Sequence, residues 1–246
     1  MTANPQRVIP IMPLSYSRLS VFEQCEARFD YQYVSKRVQD SMNEASAYGD
    51  RVHKTLEALG NAGKQGPEAV ERLKSERTSA EELQTITRWG PLVERILAQP
   101  GEKLFEFQMA VNKALQPVGW FAKDVWVRSI ADVLVRDGDT AYVLDFKSGK
   151  VKDNPTQLQL FAAMVLWHYP EVQKVKTSFV WLAHNEVTNS HYERRFLGAL
   201  WRALEPRFLR VQETIELGVF KTKPSGLCGW CPASQICPDA RPPRRK

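Results

Sequence analysis

Hydrophobic positions along the chain mark out its elements before any chemistry is considered. From Ser15 the apolar residues recur at helical spacing, with Leu19, Phe22, Phe29 and Tyr33 separated by three, seven and four positions. Ser15 or Ser17 supplies the N-cap of this helix, and Cys25 falls in its middle, where on its own it reads as a small core residue. A second helix is predicted from about Asn43 to Leu59, with Tyr48, Val52, Leu56 and Leu59 as its core stripe. Asn61 to Gly66 reads as a turn or link. Helices over Pro67–Arg77 and Glu81–Leu97 follow, the latter opened by a capping-box pattern of Ser79 and Glu82. From Lys103 the period changes to two, so Leu104–Val111 and Asp124–Val127 are predicted strands.

These strands lead into the stretch from Ser129 to Lys150, where two apolar runs flank Asp137-Gly138-Asp139. An Asp-Gly pair in that position is a strong hairpin signal, because Gly tolerates the positive φ of such turns. Beyond it, Asn154 as N-cap, Pro155 at the first position and Gln157 at the third open a further helix. A second hairpin is predicted at Ser178–Ala183 and Val187–Phe196. A final helix puts Leu197, Leu200, Trp201, Leu204, Phe208, Val211 and Ile215 on one face, with Pro206 expected to kink or restart it. Residues 1–13, with three prolines, read as an arm.

Polar residues inside the apolar pattern carry the candidate chemistry. Asp132 interrupts the first hairpin strand, and Asp145 and Lys147 close the second. Strand side chains alternate, so Asp145 and Lys147 share a face, about 7 Å apart along the strand. Carboxylates in a buried strand are costly unless a charge compensates them, and a divalent cation would do so. Glu106 is an isolated carboxylate in an aromatic strand, either close to this site or at an exposed edge. His53 shares a helix face with Gly49, whose missing Cβ allows another group to approach; a lone histidine otherwise reads as a surface residue. Arg194, Arg195, Arg202 and Arg210 form either a solvated face or a phosphate track, and the track is the reading favoured here.

Composition changes the picture in three places. The chain of 246 residues, 43% hydrophobic and 25% charged, is that of an ordinary globular protein, with no run of eighteen apolar residues to cross a membrane and no secretory signal. A cytoplasmic protein is expected. The net charge of +6 suits a polyanionic partner or a merely basic surface, and the tail RPPRRK reads as a solubilising end. Of the four cysteines, Cys228, Cys231 and Cys237 stand in C-x2-C-x5-C spacing among Gly and Pro residues. That is a strong metal-binding signal, and Cys25 remains as the fourth soft ligand. Iron–sulfur and zinc both suit four thiolates.

Together these residues resemble the RecB-type nucleases of the PD-(D/E)XK superfamily, and within it the branch with a C-terminal iron–sulfur cluster that includes CRISPR adaptation nucleases, AddB and small phage exonucleases. The similarity runs from about Leu14 to Pro238. It rests on Leu14-Ser-Tyr-Ser-Arg-Leu through Cys25 and Phe29, on Gly49 and His53 as Gly-x-x-x-His, on Asp132, on Asp145-Phe-Lys-Ser-Gly-Lys150, and on Gln157. Glu26, Ser129 and Phe161 stand where the family usually has Pro, Gly and Tyr. Glu106 sits where such enzymes often carry a Glu.

The resemblance implies an α/β (α+β) fold, a mixed central sheet flanked by helices with a restriction-endonuclease-like core. It implies one nuclease domain over 14–246, with a helical lobe at 61–100 and a cluster-binding module at 221–240 closed by Cys25. His53, Asp132, Asp145 and the Phe146 carbonyl would hold Mg²⁺ or Mn²⁺, and imidazole tilts the preference to Mn²⁺. Lys147 would orient or deprotonate the attacking water, and Gln157 would position that water or a phosphate. Cys25, Cys228, Cys231 and Cys237 would hold a structural 4Fe–4S cluster, with Zn²⁺ as the competing occupant. The implied activity is metal-dependent DNA hydrolysis, as an exonuclease on single strands or DNA ends in recombination, repair or phage DNA processing, with a helicase or recombination protein as a possible partner. The alternatives are a non-catalytic module of the same fold that binds DNA ends or a helicase, and a zinc-stapled binding protein.

Overall fold

The computed structural model describes residues 12–39, 44–77, 79–152 and 154–240. The expectations for residues 1–11 of the arm, for a helix start at Asn43 and for the tail from Arg241 lie outside the described residues. In chain order the elements are α1 (Tyr16–Gln24), α2 (Glu26–Phe29), a π-helical turn (Asp30–Val34), α3 (Glu44–Gln65), α4 (Pro67–Glu76), α5 (Ala80–Leu97), β1 (Glu102–Val111), β2 (Val127–Asp137), β3 (Thr140–Lys147), α6 (Pro155–His168), β4 (Lys174–Trp181), β5 (Glu186–Glu193) and α7 (Leu197–Leu217). The five strands form one mixed sheet in the order β1-β2-β3-β4-β5, flanked by helices in an α+β arrangement. Among the described residues, no helix is long and apolar enough to cross a membrane.

The chain divides into two compact units, one drawn from Met42–Met109 and Ser129–Leu200 and the other from Met1–Ser41, Ala110–Arg128 and Trp201–Lys246. In the first, β2 and β3 are antiparallel with Val133 opposite Leu144 and Asp137 opposite Thr140. The turn between them is Gly138-Asp139, with Gly138 at φ +56°, the backbone that the Asp-Gly signal anticipates. β3 then runs parallel to β4 after the α6 crossover, and β4 returns antiparallel to β5. Val52, Leu56 and Leu59 of α3 join Ile86, Val93 and Ile96 of α5 against Val133, Val135 and Phe146 of the sheet. Tyr48, expected in this stripe, is instead 41% exposed. Residues of α6 are buried around most of its circumference, so it lacks the single apolar stripe of a surface helix.

Several local expectations are corrected. The turn expected at Asn61–Gly66 is helical through Gln65 and stops at Gly66, whose φ of +116° an L side chain rarely adopts. The glycines that suggested a link are packing devices: a Cβ on Gly60 would lie 2.2 Å from the Phe105 ring, and one on Gly63 would lie 2.3 Å from Leu97. Ser79 occupies the N-cap of α5 without a side-chain cap bond, and the Glu82 carboxylate, the other half of the capping box, pairs with Arg77. Of the strand expected at Asp124–Val127, Asp124 lies in a turn and Val125 and Trp126 are irregular, so that β2 begins only at Val127. Pro206 lies inside α7, which runs unbroken past it.

In the second unit, the helix expected to run through Cys25 breaks there. Cys25 is extended (φ −166°, ψ 115°) and separates α1 from α2. Ser15 caps α1 by accepting from the Arg18 N–H. Leu14 bridges to Val127, Trp126 meets Trp201 edge to face with centroids 5.5 Å apart, and Trp201 stacks on Phe208 at 5.9 Å.

Gly60→Ala should gain a helix-propensity increment of about 1 kcal/mol and lose more by overpacking, which costs about 1–3 kcal/mol. The net expectation is a lowered urea midpoint for the variant, and a raised midpoint would show that Phe105 yields freely.

Candidate active site

The hairpin brings the sequence-selected residues of the first unit together. Asp132 lies on β2 and Asp145 on β3, one position beyond the paired Val133 and Leu144. Asp132 accepts a hydrogen bond from the Phe146 backbone N–H at Oδ2 (2.6 Å). Its Oδ1 lies 3.2 Å from His53 Nδ1, presented by α3. Asp145 is 3% exposed. Its Oδ1 accepts from Gln157 Nε2 at 3.0 Å, and its Oδ2 forms an ion pair with Lys147. That Oδ2 is fully buried and receives no well-formed hydrogen bond from the described residues. Lys147 also lies over the Phe179 ring, 5.1 Å from its centroid. A Cβ on Gly49 would fall 2.9 Å from Ser148 Oγ, so this glycine admits the residue that follows Lys147.

His53, Glu106 and Asp132 form the group whose donor atoms all lie within 4.8 Å of one another and could hold a metal ion. The sequence pattern left Glu106 open between this site and an edge position; the structure places it beside His53 and Asp132. Asp145, the other carboxylate of the sequence-derived ligand set, lies on the neighbouring strand, in contact with Lys147 and Gln157. Glu106 has φ +48° inside β1. A left-handed non-glycine residue costs about 1–3 kcal/mol, and such strain collects at functional sites. Nothing in the residue pattern announces it.

The electrostatics agree with a site short of positive charge. Burial, then the charges of Asp132 and Glu57, raise the Glu106 pKa to about 7. Burial and Asp132 raise Asp145 to about 6, against the opposing pull of Lys147. For His53, burial disfavours the imidazolium, but the hydrogen bond and charge of Asp132, with Asp145, outweigh it and raise the pKa. Three carboxylates thus face one ammonium and one imidazole. A cluster of carboxylates with raised pKa values and a mixed oxygen and nitrogen donor set fit a divalent ion of the Mg²⁺ or Mn²⁺ kind.

In the other unit, Cys25, Cys228, Cys231 and Cys237 border one cavity of about 300 Å³. All four are free thiols, neither buried nor fully exposed. The C-terminal three lie on successive tight turns, and the Ser225 N–H points at Cys228 Sγ (3.1 Å). The break at Cys25 is what allows its thiol to leave the α1 helix and border this cavity. Glu26 accepts from the Lys221 N–H (3.1 Å) and pairs with Arg210 (2.8 Å), while Glu23 takes both Arg207 nitrogens (2.6 and 2.7 Å).

The proposed arginine track is corrected at Arg194, whereas Arg195, Arg202 and Arg210 are exposed. Arg194 donates to the carbonyls of Leu166, Tyr169 and Val172 at 2.7 Å each, capping the end of α6. Arg195 pairs with Glu193 and Arg210 with Glu26. Of the departures from the family pattern, Phe161 is 1% exposed in the core, and Ser129 is buried.

A mixed sheet that gathers carboxylates, an imidazole and a lysine at one hairpin has the arrangement of a metal-dependent nuclease. The family model of the PD-(D/E)XK nuclease superfamily matches residues 13–238. The chain belongs to that superfamily. It is similar in fold to a solved structure from Eubacterium rectale described as a "Putative exonuclease", at 14% identity and a TM-score of 0.53, with 96% of this chain and 95% of that chain covered. The solved structure of SSO0001 aligns at 15% identity and a TM-score of 0.41, covering 98% of this chain and 90% of that chain. No curated protein matches the sequence.

A raised folded-state pKa makes a group's stabilisation complete at low pH and lost as pH rises through that pKa. Glu106, Asp145 and His53 all shift upward, so the metal-free protein should melt lower at about pH 8 than at about pH 5.5. Glu106→Gln should flatten that slope, and Mn²⁺ should restore the melting temperature at the higher pH. A slope unchanged in Glu106→Gln would remove Glu106 from the cluster.

Proposed function

We propose that this protein is a divalent-metal-dependent DNA nuclease that acts as an exonuclease on single strands or DNA ends. The observation that carries this reading is the His53, Glu106 and Asp132 cluster beside the Lys147–Asp145 pair, within a chain of the nuclease superfamily. His53, Glu106, Asp132 and Asp145 would hold the ion, and the imidazole favours Mn²⁺ over Mg²⁺. When bound, the ion supplies Lewis-acid polarisation and an acidified water. Lys147 stands where its ammonium can orient that water and offset charge developing on the phosphate oxygens. Gln157 donates to Asp145 Oδ1, and from the first turn of its helix it would position the attacking water or a phosphate. DNA from recombination, repair or phage processing is the substrate class in this reading, and a helicase or recombination protein is the expected partner.

The four cysteines are assigned a 4Fe–4S cluster. They border a single cavity, four thiolates suit iron–sulfur and zinc alike, and the resemblance to the cluster-bearing branch is what favours iron. Its role is structural. The domain reading that accompanies it is a nuclease domain over 14–246 with a cluster-binding module at 221–240 and a helical lobe at 61–100.

End-labelled single-stranded, duplex and circular DNA incubated with Mn²⁺ tests the activity. Release from ends without cutting of circles is expected, with Lys147→Ala and Asp145→Ala each reducing the rate by about 100-fold or more. A Lys147→Ala protein as fast as wild type would sink the assignment. Anaerobic purification tests the cluster: a brown protein with equal iron and acid-labile sulfide is expected, bleached in Cys237→Ser. A colourless protein with stoichiometric zinc would replace iron by zinc.

A further inference from the structure

The segment between β1 and β2 holds a set of groups that the candidate active site does not use. Asn112 Oδ1 accepts from the N–H groups of Ala114 (3.0 Å) and Gln116 (3.1 Å). Val111 bridges to Pro117, and the N–H groups of Val118 and Trp126 donate to Ala110 (2.9 Å) and Val111 (2.8 Å). A further turn closes from the Ala122 N–H to Gly119 (2.9 Å). The segment is therefore tied at its base and along its length, and it carries Trp120 and Phe121 in a defined place.

Phe121 is 89% exposed, more than any other large apolar side chain described. A single exposed apolar residue is ordinary, but this one has unusual company. The Arg128 guanidinium lies over the Trp120 ring, 4.6 Å from its centroid, and Lys113 and Lys123 are exposed on the same segment. Its one carboxylate, Asp124, accepts from Asn112 Nδ2 at 3.3 Å. Arg18 is close enough for its pKa to be lowered by Arg128, after the larger effect of burial. Among the described residues, neither Arg18 nor Arg128 pairs with a carboxylate.

Arg18 donates to the Pro13 carbonyl and lies over the Tyr33 ring, so its charge, like that of Arg128, is held in place but not neutralised. A tied loop with an exposed ring and such guanidiniums suits a ligand that is apolar on its faces and anionic along its backbone. An apolar protein surface would leave the guanidiniums desolvated and unpaired; an unpaired nucleotide offers both a stacking face and a phosphate. We propose that Phe121 and Trp120 form a stacking platform for an unpaired base of single-stranded DNA, with Arg128, Arg18 and Lys123 meeting its phosphates. This deepens the nuclease reading and rests on it for the choice of DNA as the occupant.

The test uses the full chain in EDTA, with a single-stranded oligonucleotide carrying 2-aminopurine and a fluorescent end label. Wild type should quench the 2-aminopurine on binding. Phe121→Ala should lose that quenching and bind about tenfold more weakly, while Phe121→Trp should keep both. Because the ring stands in solvent, Phe121→Ala should melt as wild type does, and Leu217→Ala, at another exposed apolar position, should bind normally. Equal affinity and quenching for Phe121→Ala would overturn the proposal, as would an equal loss of affinity for blunt duplex. Mn²⁺-dependent cleavage of the same oligonucleotide, measured separately, keeps the two readings apart. Cleavage without Phe121 dependence would sink the platform alone, whereas Phe121-dependent binding without cleavage would sink the nuclease alone.

Discussion

Excess negative charge at the β2–β3 hairpin is the constraint on which the active unit depends. Asp132 is 9% exposed and Asp145 3%, on adjoining strands, and Glu106 adds a third carboxylate. Placing such charges out of water is tolerable only when each is met by donors or cations. The protein supplies them from every element packed around the hairpin. The Phe146 N–H comes from β3 itself, His53 from α3, Lys147 from the strand end and Gln157 from the first turn of α6. Burial, and after it the charge of Asp132, still make the carboxyl groups of Glu106 and Asp145 hold their protons well above the ordinary range. A divalent ion held there would complete the balance.

The sheet and its helices read as means to that end. The parallel β3–β4 pair requires a crossover, and α6 provides it while delivering Gln157 back to Asp145. Gly49 lets Ser148 approach α3, and Gly60 lets the Phe105 ring seat against the same helix one residue before Glu106. The close contacts on both sides of the site are thus made by absent side chains. In the other unit, ion pairs and backbone bonds from Glu23 and Glu26 join α1 and α2 to the chain that carries the three C-terminal cysteines. Exposed ion pairs are each worth little, about 0–1 kcal/mol, so they align these segments more than they hold them.

Much of this was legible along the chain, and the reasons for the exceptions are specific. The Asp-Gly turn, the Pro155 helix start and the alternation of β3 are short-range signals, and each appears where its local chemistry calls for it. Asn61–Gln65 resembled a link because Gly and Asn are poor helix formers, and the packing of Gly63 on Leu97 overrides that preference. The helix through Cys25 looked continuous because its apolar spacing is; the break lies in backbone angles that the spacing does not record. Arg194 looked like a ligand for phosphate, yet its nearest acceptors are the carbonyls at the end of α6, a segment distant in sequence.

By itself the sequence determined the donor types: two aspartates, a lysine and a glutamine around one hairpin, a histidine four positions after a glycine, and four cysteines with three in close spacing. These follow from residue identity and local periodicity. Only the tertiary structure decided how the donors group. It drew Glu106 to His53 and Asp132 through a left-handed residue in β1, and it turned Asp145 toward Lys147 and Gln157. The physical reason is that charge compensation in a buried site is shared among groups from different elements, and no stretch of chain records which of its neighbours will come within reach.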